Sequence, residues 1–273
     1  MDSGKIAIAF IGFGELGRRF SADLLRGGRV TIAAYDLLFD DPLAGSERMA
    51  ACEGLGVTPA ASAAAACRGA SVVISAVTAD AVETVAEAAR HYLQPGQIFF
   101  DVNSAAPSTK QRAARHVEAS GARYVEGAVM GPVSGPGIRV QILAGGSAAE
   151  QASALLNRLG FDLMPVAVEH GRASAMKLCR SIMIKGLEAL IVDCAAAART
   201  AHIEREVFAS LAATFPSIDW PALADNMAER VAKHGRRRAA EMREAAEMLS
   251  DMGYDASLAL AVADAHARGA KAK

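Results

Sequence analysis

Three glycines and one lysine carry the chemistry that this 273-residue chain can do. Gly12, Gly14 and Gly17 follow a short apolar run over residues 6–11. In that spacing the first glycine turns the chain sharply after a buried strand, and the second lets backbone N–H groups approach a pyrophosphate. The third lets the next helix pack closely. Phe13, Glu15 and Leu16 fill the turn, and a helix over 15–26 offers the unpaired amides and partial positive charge of its N-terminus to the phosphates. A second apolar run over 30–34 ends at Tyr35-Asp36, about 20 positions on, where an acidic side chain meets the adenosine ribose hydroxyls. Together these features predict dinucleotide binding; the glycines alone would also serve an ordinary strand–helix turn.

Lys177 lies on a helical pattern over 170–199, where Lys177, Ser181, Ile184 and Glu188 share one face. Met176, Cys179, Ile182, Met183, Leu187 and Ile191 flank it on the apolar side. A partly desolvated lysine can move a proton near neutral pH, which a hydride transfer at a carbinol carbon requires. The same spacing equally serves a snorkelling interface lysine. Strand ends supply the remaining polar candidates. Val77-Thr78 closes one apolar run, Asn103-Ser104 another, and Met130 to Gly137 forms a Gly- and Pro-rich loop. Ligands of open α/β sheets lie beyond the carboxyl ends of the strands, so Val77, Thr78 and Asn103 are expected to border the cofactor.

The elements that must position these residues alternate. About eight strands and their intervening helices run to residue 166, which predicts a doubly wound, mostly parallel Rossmann-type α/β sheet. Between Asp36 and Ser46 the pattern reads as an irregular acidic loop. From 167 onward only helical periodicity remains, over 170–199, 204–214, 219–234, 236–252 and 256–268. The expected organisation is a dinucleotide-binding domain over 1–166 and an all-helical substrate and dimerisation domain over 167–273, entered through a long interdomain helix. A net charge of -1 gives no electrostatic case for nucleic acid or an anionic membrane. No run reaches the ~18 apolar residues of a membrane span, no signal-peptide pattern is seen, and the four scattered cysteines read as reduced thiols. The six histidines show no metal-ligand spacing. A cytoplasmic protein with no metal is expected.

In order and spacing, Gly12-x-Gly14-x-x-Gly17, Val77-Thr78, Asp101-x-Asn103-Ser104, the 131–137 loop and Gly171-x5-Lys177-x3-Ser181 resemble the β-hydroxyacid dehydrogenases. That family includes 3-hydroxyisobutyrate and 6-phosphogluconate dehydrogenases. The resemblance covers the first ~200 residues, and the last ~70 look like a subgroup with its own C-terminal helical domain. It implies hydride transfer between a nicotinamide cofactor and a small β-hydroxy acid or related carbonyl compound, with Lys177 as general acid/base. It also implies a substrate site at Asn103, Ser104 and the 130–137 loop, and a homodimer. Two departures bear on substrate. Ser181 stands where the family commonly has asparagine. The family's Ser-Gly-Gly loop aligns either with Met130-Gly131-Pro132 or, with a gap, with Ser134-Gly135-Pro136, and the sequence leaves both registers open.

The acidic 36–41 stretch favours NAD over NADP, although Arg48 could reach a 2′-phosphate. The basic run Lys233 to Arg238 reads either as a solvated turn between two helices or as an anion site for substrate. Imine reduction and non-catalytic dinucleotide binding are the alternatives.

Overall fold

A computed structural model describes residues 4–270. Eight strands form one sheet: β1 Ile6–Ile11, β2 Val30–Tyr35, β3 Thr58–Pro59, β4 Val72–Ser75, β5 Ile98–Asp101, β6 Arg123–Val129, β7 Gln141–Gly145 and β8 Asp162–Ala167. Their spatial order is β3-β2-β1-β4-β5-β6-β7-β8. The order reverses between β1 and β4, which creates the crevice at which doubly wound sheets bind ligands. All pairings are parallel except β6 with β7.

Helices α1 Glu15–Arg26, α2 Gly45–Gly54, α3 Ala63–Cys67, α4 Val82–Ala89, α5 Pro107–Glu118 and α6 Ala149–Asn157 connect the strands. The central strands are near-continuous apolar runs because both faces are covered. Phe10, Ile74, Phe100 and Ile142 belong to one buried cluster and Ala9, Val73, Phe99 and Tyr124 to the other, as the period of two requires.

The chain divides into two compact units, Met1–Lys177 and Leu178–Lys273. The division falls inside α7 Arg172–Thr200, a 29-residue helix, because its first turn belongs with the sheet. The second unit holds the rest of α7 with α8 Glu204–Thr214, α9 Trp220–Asp251 and α10 Ser257–Gly269. Ile191, Ala195, Phe208, Trp220, Ala224 and Met227 form a core in it.

Two sequence expectations change. Residues 37–46 are not an irregular loop. A 3₁₀ turn spans Leu37–Asp40, capped by Asp36, and α2 follows at Gly45. Asp41 accepts the amides of Leu43 (2.8 Å) and Ala44 (3.0 Å), which turns the chain into that helix. Nor does a turn separate residues 234 and 236, since α9 runs unbroken for 32 residues. Gly235 is there for space: a Cβ on it would lie 2.3 Å from the His266 carbonyl oxygen of α10. The residue that read as a helix break lets two helices approach closely.

Candidate active site

The glycine turn has the geometry that its spacing demands. Gly12 has φ +87°, and a Cβ on it would meet the Ala76 carbonyl oxygen at 2.3 Å and Val77 Cγ1 at 3.1 Å, so β1 and β4 pinch the turn. A Cβ on Gly17 would lie 2.8 Å from the Gly12 oxygen, the close helix–strand approach of the third glycine. At Gly14, by contrast, a Cβ would meet nothing within 4 Å, and no side chain caps α1 there. The first-turn amides of α1 thus have no side-chain cap at Gly14, and an anion fits there. Leu16 packs on the core; Glu15 is exposed.

Asp36 reaches back to this turn. One carboxylate oxygen accepts the Phe13 amide at 2.6 Å and the other the Leu38 amide at 2.9 Å. A cleft of about 210 Å³ opens beside it, lined by Phe13, Arg18, Asp36, Phe39, Glu47 and Arg48. Thr78, at the end of β4, is exposed and precedes a short 3₁₀ turn without capping it by its side chain.

Asn103 follows β5 and is buried. Its amide group donates to Asp101 Oδ1 (2.6 Å) and Ser75 Oγ (3.1 Å). Asp101 is in turn held by Lys110 Nζ at 2.9 Å and by the Tyr124 hydroxyl at 2.6 Å. Burial, and then the Asp101 charge, push the Tyr124 phenol well above its ordinary value, so it stays a donor. This network fixes the loop carrying Ser104, and the Ser104 hydroxyl accepts a hydrogen bond from Lys177 Nζ at 3.2 Å. A lysine and a hydroxyl from residues 73 apart thus meet beyond the carboxyl end of β5.

The two registers of the 130–137 loop differ physically. The Met130 amide extends the β6–β7 ladder by bonding to the Gln141 oxygen at 2.9 Å. Its side chain packs beside Ala128, Leu143 and Ala173 of α7, one helical turn before Lys177. Gly131 is half-buried. Ser134 is exposed, on a stretch tied to α1. There the Gly135 oxygen accepts from Arg19 Nη2 at 3.2 Å and the Ile138 amide donates to Asp23 at 3.1 Å.

In the helical unit Ser181 is buried and its hydroxyl accepts from Lys185 Nζ at 2.9 Å. Lys185 pairs with Glu241 at 2.7 Å; burial pulls its ammonium below the usual range, and Glu241 pulls it back up. The basic run is not a solvated turn. Arg238 is buried and forks onto both oxygens of the fully buried Glu188, which Arg230 approaches at 3.3 Å. Lys233, Arg236 and Arg237 are exposed. Sequence reasoning quoted Asp101 in a motif without giving it a role, and missed Lys110, Tyr124 and Glu126 as its surroundings. For Asp101 and Glu126 the available signal was a carboxylate inside an otherwise apolar strand, which burial forces to find partners.

Fold and site together define a Rossmann-type dinucleotide-binding protein with an appended helical unit. The chain belongs to the family described as the NAD binding domain of 6-phosphogluconate dehydrogenase, which matches residues 7–171. Residues 198–269 match a domain of unknown function, DUF1932. A conserved hypothetical protein from Sinorhizobium meliloti is 38% identical, with a TM-score of 0.83 over 97% of this chain and 88% of that one. The conserved protein MTH1747, described as structurally similar to 3-hydroxyacid dehydrogenases, is 29% identical with a TM-score of 0.77, over 97% of this chain and all of its own. Among curated relatives, the 2-(hydroxymethyl)glutarate dehydrogenase of Eubacterium barkeri is 29% identical over 66% of this chain and 59% of its own length. The chain thus spans about half the length of the curated relatives it matches, 45% and 59%. Among the described residues no helix is long and apolar enough to cross a membrane.

Proposed function

We propose that this chain is a nicotinamide-dependent dehydrogenase or reductase that acts on a small β-hydroxy acid or the related carbonyl compound, with Lys177 as its general acid/base. The observation that carries the reading is the Lys177–Ser104 contact at the carboxyl edge of a sheet whose first turn leaves Gly14 with nothing within 4 Å of where a Cβ would lie. Bound nicotinamide would exchange a hydride with the carbinol carbon. The chain's own part is the proton. Lys177 Nζ, unprotonated, takes it from the hydroxyl oxygen as the carbonyl forms, and returns it in the reverse direction. The Ser104 hydroxyl, now bonded to that amine, can rotate to donate to the same oxygen.

The amides at 14–17 would hold the pyrophosphate, and Asp36, which already accepts the Phe13 amide, the adenosine ribose hydroxyls. Asp36 favours NAD, since a carboxylate fixed by two backbone amides cannot turn away from a 2′-phosphate. Arg18 and Arg48 line the same cleft, so NADP is the competitor to measure. For substrate, Met130 on the Ala173 face of α7 favours a compound with an apolar substituent over the shortest hydroxy acids. The protein is proposed to be a homodimer, which light scattering reads directly.

The test is a panel of 3-hydroxy acids, the matching semialdehydes and cyclic imines, run with NAD and with NADP while reduced-cofactor absorbance is followed. Turnover of a hydroxy acid or semialdehyde supports the proposal. Turnover of imines alone, or tight cofactor binding with no turnover at all, contradicts it.

A further inference from the structure

Two buried carboxylates stand side by side where the end of β5 lies against the middle of β6. Asp101 and Glu126 are cross-strand partners in the ladder, 1% and 0% exposed. Asp101 holds the Asn103–Ser104 loop, as described above. Glu126 is bound to the start of α7. Its oxygens accept the amides of Gly171 (2.8 Å), Ala173 (3.0 Å) and Ser174 (3.3 Å), and the Ser174 hydroxyl at 2.7 Å. The first amides of a helix have no intrahelical acceptor, and here a strand rather than the preceding residue supplies one, at the positive end of the helix dipole.

The surroundings make room for this carboxylate. Gly145 faces Glu126 across the antiparallel pair, and a Cβ there would lie 2.4 Å from the carboxylate oxygen. The residue before the cap is tied down as well. His170 Nε2 lies 2.9 Å from Glu118, and the His170 oxygen accepts from Gln111 at 3.2 Å. Lys177 follows Ser174 by three residues and Ala173 by four, so it sits on the face of α7 that Glu126 anchors. Neighbouring carboxylates therefore hold the two halves of the Ser104–Lys177 pair, one on a loop and one on a helix.

We propose that Glu126 is a positioning residue for Lys177: by capping α7 from inside the sheet it sets the height and rotation of the first turn, and with them the reach of the amine to Ser104. The inference rests on the reading of Lys177 as the proton-transfer group, but its test does not depend on turnover. In Glu126→Gln, hydrogen–deuterium exchange of a peptide covering 171–177 should rise about tenfold or more, the scale of losing hydrogen bonds to a charged acceptor. Exchange in β1 and β2 should not change. Acetylation of Lys177 by an N-hydroxysuccinimide ester should become several-fold faster, as in Ser104→Ala, while that of Lys5 stays constant. Ser174→Ala, which removes one of four donors and leaves the carboxylate, should move both readouts in the same direction by less.

Unchanged exchange and labelling at these residues would overturn the proposal. So would acceleration spread evenly over the sheet, the mark of a merely structural role. If Glu126→Gln does not fold, Ser174→Ala decides alone, and no change in it counts against the proposal. Turnover of Lys177→Ala answers the separate question of whether the lysine is catalytic.

Discussion

Side chains of one type behave differently here according to what surrounds them, and the four cysteines illustrate it. Burial pushes the Cys52 thiol up to about 11, with the Glu53 charge adding to it, and burial alone pushes Cys67 up to about 12. Cys179 is exposed and Cys194 half-buried. A disulfide reagent at pH 8 should therefore label Cys179 first and Cys194 more slowly, and reach Cys52 and Cys67 only on unfolding, because the thiolate is the reactive form. Mass spectrometry of the labelled peptides gives the order; early labelling of Cys67 would contradict it. The glycine turn was legible in the sequence because its demand is local: Gly12 and Gly17 answer a backbone geometry that spacing alone encodes. Lys177 was legible as a candidate, but its partner was not. Ser104 lies 73 residues away, and no periodicity links a loop after β5 to a helix after β8. The register of the 130–137 loop was hidden for a similar reason. What separates Met130 from Ser134 is a ladder bond to Gln141 and a tether to Arg19 and Asp23, both set by tertiary packing.

Among the elements, the fold class and the strand sequence followed from hydrophobic runs and turn residues, and the failures trace to glycines and caps. Gly235 read as a break because an isolated glycine costs about 1 kcal/mol relative to alanine inside a helix. In α9 the packing against α10 outweighs that propensity. Gly235→Ala should thus lower stability by about 2 kcal/mol despite the better helix former, since the new methyl meets a carbonyl oxygen. A Cβ on Gly186 in α7 would meet nothing within 4 Å, so Gly186→Ala should stabilise by about 0.5–1 kcal/mol. Urea midpoints of the two variants should move in opposite directions, and a shared direction would refute the account of Gly235.

The α10 contact also carries a pH dependence. His266 is fully buried, its Nε2 donates to the Lys185 oxygen at 3.0 Å, and Glu188, Arg238 and Lys185 are the charges around it. Burial holds its pKa below the ordinary 6.5, ahead of the smaller opposing effects of Lys185 and Glu188. The unfolded chain then binds this proton more readily than the folded one. Stability from this group is complete above about pH 6.5 and is lost as the pH falls below it. Thermal midpoints between pH 7.5 and 5 should fall for the native chain and fall less for His266→Gln; equal slopes would remove His266 from the pH response.

At the scale of the whole chain, two units with different kinds of interior meet within one continuous helix. The first unit is a sheet filled with apolar side chains, with two buried carboxylates, Asp101 and Glu126, on neighbouring strands. The second packs helices around a polar cluster in which Glu188, Arg238, Lys185 and Glu241 satisfy one another. That cluster absorbs Ser181 and Arg238, two residues that the sequence offered for substrate. It leaves the proposed chemistry resting on Lys177, Ser104 and the glycine turn. The most direct test is to compare the native chain with Lys177→Ala under the dehydrogenase assay, with dinucleotide affinity measured alongside. Turnover reduced at least about 10²-fold with cofactor affinity within twofold is the predicted result. An unimpaired Lys177→Ala enzyme would contradict the account.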